Sequence, residues 1–153
     1  MRKFKFTLQA VHNVRELRQE KETMILGQLR SEVELASSRV THLEQMRLQA
    51  IDDYTIRLRR GEQLSSVEME LNSNHFASLN RLQQEAERVL AEKNRACQKQ
   101  SEKVAAAMRE VMVTDQLREN QRIKHESEFL RQEQSSVDEM ISTRFARELS
   151  HIK

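Results

Sequence analysis

The stretch LRRGEQLSS, residues 58–66, interrupts a chain that has almost nothing else to stop a helix. It contains Gly61, one of only two glycines among 153 residues, and the chain has no proline. Glycine adopts the left-handed conformation that ends a helix without steric cost, and positive side chains are favourable in the last helical turn. Arg57, Arg59 and Arg60 supply that positive charge. The sequence therefore predicts a first helix from about residue 7 to residue 60.

A second helix is predicted to begin directly after this break. Ser65 is followed three positions later by Glu68, the capping-box spacing at which each side chain bonds a backbone N–H of a new helix start. The turn is therefore expected over residues 61–65 and the second helix over residues 66–150. The Asn-Ser-Asn sequence at residues 72–74 is a poor helix former, which leaves a kink there open. Two long helices joined by so short a turn lie side by side and antiparallel.

The composition agrees with long helices and excludes several classes of protein. Apolar residues make up 37% of the chain, charged residues 33% and aromatic residues 4%, which leaves little to fill the core of a globular enzyme. The net charge is only +2 and both signs are mixed along the chain, which disfavours binding to nucleic acid or a membrane surface. The apolar runs are too short to cross a bilayer, and the first residues do not resemble a secretory signal. With Cys97 as its single cysteine, the chain is expected to be cytoplasmic, with that thiol packed on a helix.

Apolar residues recur along both predicted helices at alternating steps of three and four, the spacing of a coiled-coil seam. In the first helix the regular part comprises Leu29, Val33, Ala36, Val40, Leu43, Ala50 and Tyr54, with Arg47 in the remaining position. Upstream, the predicted stripe is looser and comprises Leu8, Val11, Val14, Leu17, Met24 and Ile25. In the second helix it comprises Phe76, Leu79, Leu82, Ala86, Val89 and Ala96, then, after a small phase shift, Cys97, Val104, Ala107 and Val111. The predicted fold is all-α, an antiparallel coiled-coil hairpin forming a single domain over residues 1–153.

The second predicted helix is too long for the first. A fold line near Gln63 places residue i opposite residue 126 minus i, so Phe4 is expected near Arg122, and the rest of the second helix forms an overhang. This overhang carries an apolar stripe at steps of four: Val137, Ile141, Phe145 and Leu149, with Ile152 next. The stripe predicts packing against another protein. The alternative is that this end frays or folds back.

No pattern indicates catalysis or cofactor binding. Gly27 and Gly61 are isolated, so no phosphate-binding loop exists. The histidines are far apart and are expected to be exposed helix residues, not metal ligands: His12, His42, His75, His125 and His151. We therefore expect no catalytic, metal-binding or cofactor-binding residues, and no enzyme.

Both ends of the sequence resemble the FliJ family, the coiled-coil component of the bacterial flagellar type III export apparatus. The opening KFKFTLQAVHNVRELRQE is similar to the family's start, in which basic and aromatic residues alternate before a Leu and an Arg-Glu pair. LREN at residues 117–120, RQEQSSVDEM at residues 131–140 and RFA at residues 144–146 resemble its C-terminal pattern. The order and spacing of these segments extend the resemblance over nearly the whole chain, although the middle section matches poorly beyond Phe76.

The resemblance implies a stalk similar in fold to the central gamma subunit of rotary ATPases. The family associates with the hexameric export ATPase and with the cytosolic domain of the export gate, and its members are reported to handle export chaperones. By this likeness the ring contacts would be Val137, Ile141, Arg144, Phe145 and Leu149, and the gate contacts Tyr54 and Phe76. The protein would then work in the cytoplasm, peripherally at the inner membrane below the flagellum. The alternative is a generic cytosolic scaffold that homodimerises through the same stripes.

Overall fold

The structure, a computed structural model, describes residues 3–151. It contains two α-helices that pack against each other, α1 (Gln9–Arg59) and α2 (Ser66–His151), and no strand within the described residues. The predicted all-α fold with two long packed helices is confirmed. Helix α2 continues without interruption through residues 72–74, where the sequence left a kink open. The described chain divides into two compact units, residues 20–106 and residues 3–19 with 107–151.

In the unit of residues 20–106, helix α1 ends at the expected glycine. Gly61 has a φ of 73°, the left-handed conformation, and no other described residue has a positive φ. The Gly61 N–H donates to the carbonyl of Leu58 at 3.1 Å, and the Glu62 N–H donates to the carbonyl of Arg57 at 3.3 Å. This pair of bonds is the Schellman motif, which satisfies carbonyls that a helix end otherwise leaves unpaired.

Helix α2 begins with a complete capping box. The Glu68 N–H donates to Ser65 Oγ, and the Ser65 N–H donates to Glu68 Oε2, both at 3.2 Å. Arg57 joins the two helix ends, because its Nε donates to Glu62 Oε2 at 2.9 Å and its Nη2 lies 3.8 Å from Glu68 Oε1. The hydrogen bond with Glu62 raises the pKa of Arg57. Side chains on both sides of the turn therefore hold it together.

The seam in this unit follows strict steps of three and four on both helices. From α1, buried and half-buried side chains are Leu26, Leu29, Val33, Ala36, Val40, Leu43, Arg47, Ala50 and Tyr54. From α2 they include Phe76, Leu79, Gln83, Ala86, Leu90, Lys93, Cys97, Gln100 and Val104. The regular part predicted for the first helix thus lies in the seam.

Three parts of the predicted seam are wrong in this unit. Leu82 is exposed, because Gln83 takes the seam position between Leu79 and Ala86. The phase shift predicted between Ala96 and Cys97 is also wrong, because the seam continues from Ala86 through Leu90, Lys93 and Cys97 at steps of three and four. Met24 is also exposed, and the buried side chain there is that of Leu26. At Leu82 a polar residue in the seam, Gln83, displaced the prediction onto its apolar neighbour.

The unit of residues 3–19 and 107–151 shows the same effect more strongly. The α1 seam there consists of His12, Arg15 and Gln19, which continue the steps of three and four in polar side chains. They pack against an α2 seam that includes Ala107, Val111 and Thr114. The upstream stripe was predicted to pack, and this is wrong, because its members in this unit are exposed: Leu8, Val11, Val14 and Leu17.

The pairing register agrees with a fold line near Gln63. In the first unit, Lys93 Nζ bonds Glu32 Oε2 at 2.6 Å, where the rule of 126 minus i gives residue 94. In the second unit, His12 contacts Thr114, the residue that the rule gives. The length of the turn therefore fixed the register correctly even where the seam residues were mistaken.

Candidate partner-binding surfaces

The C-terminal part of α2 is a helix that no described residue covers. Every residue from 131 to 151 is exposed, and the helix continues to His151. The contacts of the N-terminal segment with α2 reach His125, whose ring centroid lies 5.7 Å from that of Phe4. Phe6 is buried in the same segment. The described chain does not fold back over the overhang.

We call the apolar stripe on this overhang the C-terminal ridge; it consists of Val137, Ile141, Phe145 and Leu149. Their side chains are between 51% and 65% exposed, which is high for aliphatic and aromatic groups. Arg144 lines a shallow surface groove together with Val137 and Ile141. Ile152 lies outside the described residues. Among residues 3–151 nothing covers this apolar ridge, and the guanidinium groups of Arg144 and Arg147 line the groove beside it.

A cluster of ion pairs stabilises α2 just before the ridge. Arg122 bonds Glu119 through Nε at 3.0 Å and Nη2 at 2.6 Å, and its Nη1 lies 2.5 Å from Glu126 Oε1. The hydrogen bond from Arg122 lowers the pKa of Glu119, and the same bond raises the pKa of Arg122. Pairs at these spacings stiffen an exposed helix modestly.

The second predicted contact region lies near the turn, in the unit of residues 20–106. The rings of Tyr54 and Phe76 meet edge to face, with centroids 6.1 Å apart and planes at 86°. Together with Arg47, Ile51 and Asn80 they line an open depression of about 330 Å³. Both rings are half-buried, so they stabilise the helix pair and also offer an apolar surface.

One buried polar cluster, around His12 and Thr114, was not predicted from the sequence. His12 was expected to be exposed, but it is 1% exposed, as is Thr114. His12 Nδ1 lies 2.8 Å from Thr114 Oγ1, while its Nε2 lies 3.0 Å from Glu16 and 3.4 Å from Asp115 without hydrogen-bond geometry to either. Arg15 Nη1 donates to the carbonyl of Glu110 at 2.9 Å. The cluster could have been predicted from the seam spacing, because the steps of three and four continue through the polar residues His12, Arg15 and Gln19.

A sequence model of the FliJ family, described as "Flagellar FliJ protein", matches residues 4–150. The chain belongs to the FliJ family. Searches of curated proteins and of solved structures gave no significant match. Membership implies a role in flagellar protein export, and the FliJ family is non-enzymatic.

The match to the FliJ family covers both candidate surfaces, since residues 4–150 include the C-terminal ridge and the Tyr54–Phe76 pair. Within residues 3–151 no three His, Cys, Asp or Glu side chains are placed to hold a metal ion. Over the same residues, no helix is long and apolar enough to span a bilayer.

Proposed function

We propose that this FliJ-family chain is a non-enzymatic stalk that couples the flagellar export ATPase ring to the export gate. The C-terminal ridge would enter the central opening of the ATPase hexamer, and the turn end would contact the cytosolic domain of the gate through Tyr54 and Phe76. The protein would then work peripherally at the cytoplasmic face of the inner membrane, and it would also meet export chaperones there.

The observation that carries this proposal is the exposure of the C-terminal ridge on a part of α2 where every residue from 131 to 151 is exposed. Burying one such Val, Ile, Leu or Phe side chain contributes about 1.5–3 kcal/mol, so the ridge offers a substantial driving force for binding a shaped apolar surface. The flanking Arg144 adds a donor suited to carboxylates. A helix projecting from a paired stem suits insertion into a ring.

The test is stimulation of the purified export ATPase by the full chain and its variants. Replacing all four ridge residues by serine keeps the helix exposed but removes its apolar surface, and truncation after Gln134 removes the ridge entirely. We expect both changes to abolish stimulation while circular dichroism shows that the paired helices persist. The matched control is Gln132→Ala with Ser150→Ala, two exposed residues of the same helix that do not line the groove beside the ridge, and it should stimulate as the unmodified chain does.

Unchanged stimulation by the serine variant would reject ring insertion through the ridge. If the unmodified chain instead forms a stable dimer that the serine variant loses, the ridge is a self-association surface and the chain is a homodimeric scaffold. Mass measurement in dilute solution separates these results. For the gate, Tyr54→Ala with Phe76→Ala should weaken binding to the gate's cytosolic domain and leave ATPase stimulation unchanged.

A further inference from the structure

The unit of residues 3–19 and 107–151 exposes a second apolar surface, separate from the ridge. Because polar residues occupy the α1 seam there, the nearby apolar side chains lie outside it. We call this surface the Val14 face; it consists of Val11 and Val14 on α1 and Val113 and Leu117 on α2. Val14 is 64% exposed and Val113 is 55% exposed. These exposures leave both aliphatic side chains largely in water.

The four residues lie on the same side of the helix pair. In an antiparallel pair, the positions just before alternate seam residues of each helix flank one common side. Arg18 and Glu110 hold two such positions, and their side chains approach to 3.7 Å across the helices. Val11 lies one heptad before Arg18, and Leu117 lies one heptad after Glu110. Val14 and Val113 occupy the adjacent outer row on each helix, so the face spans both helices.

Positive charge surrounds the Val14 face. Arg18, Arg109 and Lys124 lie along its edges, and all three are exposed. Its one acidic residue, Glu110, already pairs with Arg18. Among the described residues, neither Arg109 nor Lys124 has an ion-pair partner within this face.

The opposite side of the same helix pair differs in charge. It carries the four carboxylates of Glu16, Asp115, Glu119 and Glu126, against two arginines: Arg118 pairs with Asp115, and Arg122 pairs with Glu119 and Glu126. The helix pair thus separates a basic apolar side from an acidic side, although the whole chain has a net charge of only +2.

We propose that the Val14 face binds an amphipathic helix of a partner protein whose apolar stripe is bordered by Asp and Glu residues. Two antiparallel helices leave a groove between them that a third helix fills at an interaxial distance of 8–10 Å, with apolar rows at steps of three and four. The free cations at the edges select acidic borders and repel basic ones. An anionic membrane is the other surface with matching charge, but a groove between helices fits a helix better than a flat bilayer.

This interaction is distinct from ring binding. The ridge begins at Val137, and Leu117 is the last residue of the Val14 face, so variants of one leave the other intact. An effect on helix binding with unchanged ATPase stimulation, or the reverse, separates the two proposals.

The test uses two designed helical peptides of about four heptads, checked to be monomeric. Both carry leucine at the seam positions; one has Glu at the flanking positions and the other Lys. Fluorescence anisotropy measures binding of each to the full chain. We expect the Glu peptide to bind at least about tenfold more tightly than the Lys peptide, with the difference shrinking at high salt.

Variants then locate the site. Val14→Glu with Val113→Glu should lower affinity for the Glu peptide at least about tenfold, and Arg109→Glu with Lys124→Glu should reverse the preference between peptides. The control is Met112→Glu, an exposed residue on the other side of α2, which should leave binding unchanged. Thermal melting confirms that each variant is folded. The proposal would be overturned if the two peptides bound equally, if neither bound, or if the Val14/Val113 variant kept its affinity for the Glu peptide. It would also be overturned if the chain co-sedimented with anionic vesicles but bound neither peptide.

Discussion

His12 Nδ1 lies 2.8 Å from Thr114 Oγ1, and both residues are almost fully buried. The Thr114 hydroxyl lies within bonding distance of the Val111 carbonyl at 3.0 Å and of the Glu110 carbonyl at 3.3 Å. If it donates to either carbonyl, its oxygen is left to accept from His12 Nδ1–H. A hydrogen-bonded polar pair thus occupies two facing seam positions, which coiled coils normally fill with apolar residues.

Removing one member of this pair should cost more than removing both. Thr114→Val leaves His12 Nδ1 buried without an acceptor, which should lower the free energy of unfolding by about 1–3 kcal/mol. Adding His12→Leu should recover much of that loss, because an apolar pair needs no hydrogen bond. Urea unfolding of the single and double variants measures the coupling. Thr41→Val, at an exposed site, is the control; equal costs for Thr41→Val and Thr114→Val would contradict the pairing.

The two glycines should respond oppositely to substitution. Gly61→Val forces a β-branched residue into the left-handed region, which should destabilise the chain by about 1–3 kcal/mol. Gly27 lies inside α1 with nothing within 4 Å of an added Cβ, so Gly27→Ala should stabilise the chain by up to about 1 kcal/mol. Thermal unfolding measures both. A Gly61→Val variant as stable as the unmodified chain would show that the helix does not end there.

Leu79 and Leu82 test the corrected seam with the same chemical change. Leu79 is 4% exposed and Leu82 is 43% exposed. Leu79→Ala should lower the free energy of unfolding by about 2–5 kcal/mol, because it leaves a cavity between the helices. Leu82→Ala should change it by less than about 1 kcal/mol. If both substitutions cost about the same, Leu82 would lie in the seam together with Leu79, as the sequence analysis predicted.

The ion pair of Glu119 with Arg122 should make the stability of the fold depend on pH in the acidic range. The pKa of Glu119 is lowered by that hydrogen bond, so its contribution is fully present above the ordinary glutamate pKa of about 4.3 and is lost as pH falls through the lowered folded-state value. Glu119→Gln should therefore flatten the fall in melting temperature between about pH 6 and about pH 3. The effect should be small and should weaken further in high salt, because the pair is exposed.

The control for this pH dependence is Glu133→Gln, on the exposed helix beyond the paired region. That variant should retain the slope of the unmodified chain. Identical slopes for Glu119→Gln and the unmodified chain would show that the pair contributes nothing to folding.

The sequence predicted the turn more accurately than it predicted the seam. The turn depends on local chemistry, namely the positive φ of Gly61 and the reciprocal bonds of Ser65 and Glu68, which neighbouring residues alone determine. The seam depends on which side chains face the other helix, and the apolar pattern is misleading where polar residues occupy that position. His12 is the clearest case, since its burial becomes intelligible only with Thr114 opposite it.

The C-terminal ridge was predictable for a different reason. Its residues lie beyond the reach of α1, so the lengths of the two helices and the turn position suffice to leave it uncovered. The Val14 face could not be predicted in this way, because the sequence placed Val11 and Val14 in the seam. Its exposure follows from the polar seam residues.

Site-specific photo-crosslinking from the ridge tests the central claim most directly. A benzophenone side chain at Phe145 in the full chain, irradiated with the purified export ATPase, should give a covalent adduct with an ATPase subunit. The same group at Ser150, an exposed residue of α2 that does not line the groove beside the ridge, should give little. Adducts only between copies of this chain, or equal yields from both positions, would contradict insertion of the ridge into the ATPase ring.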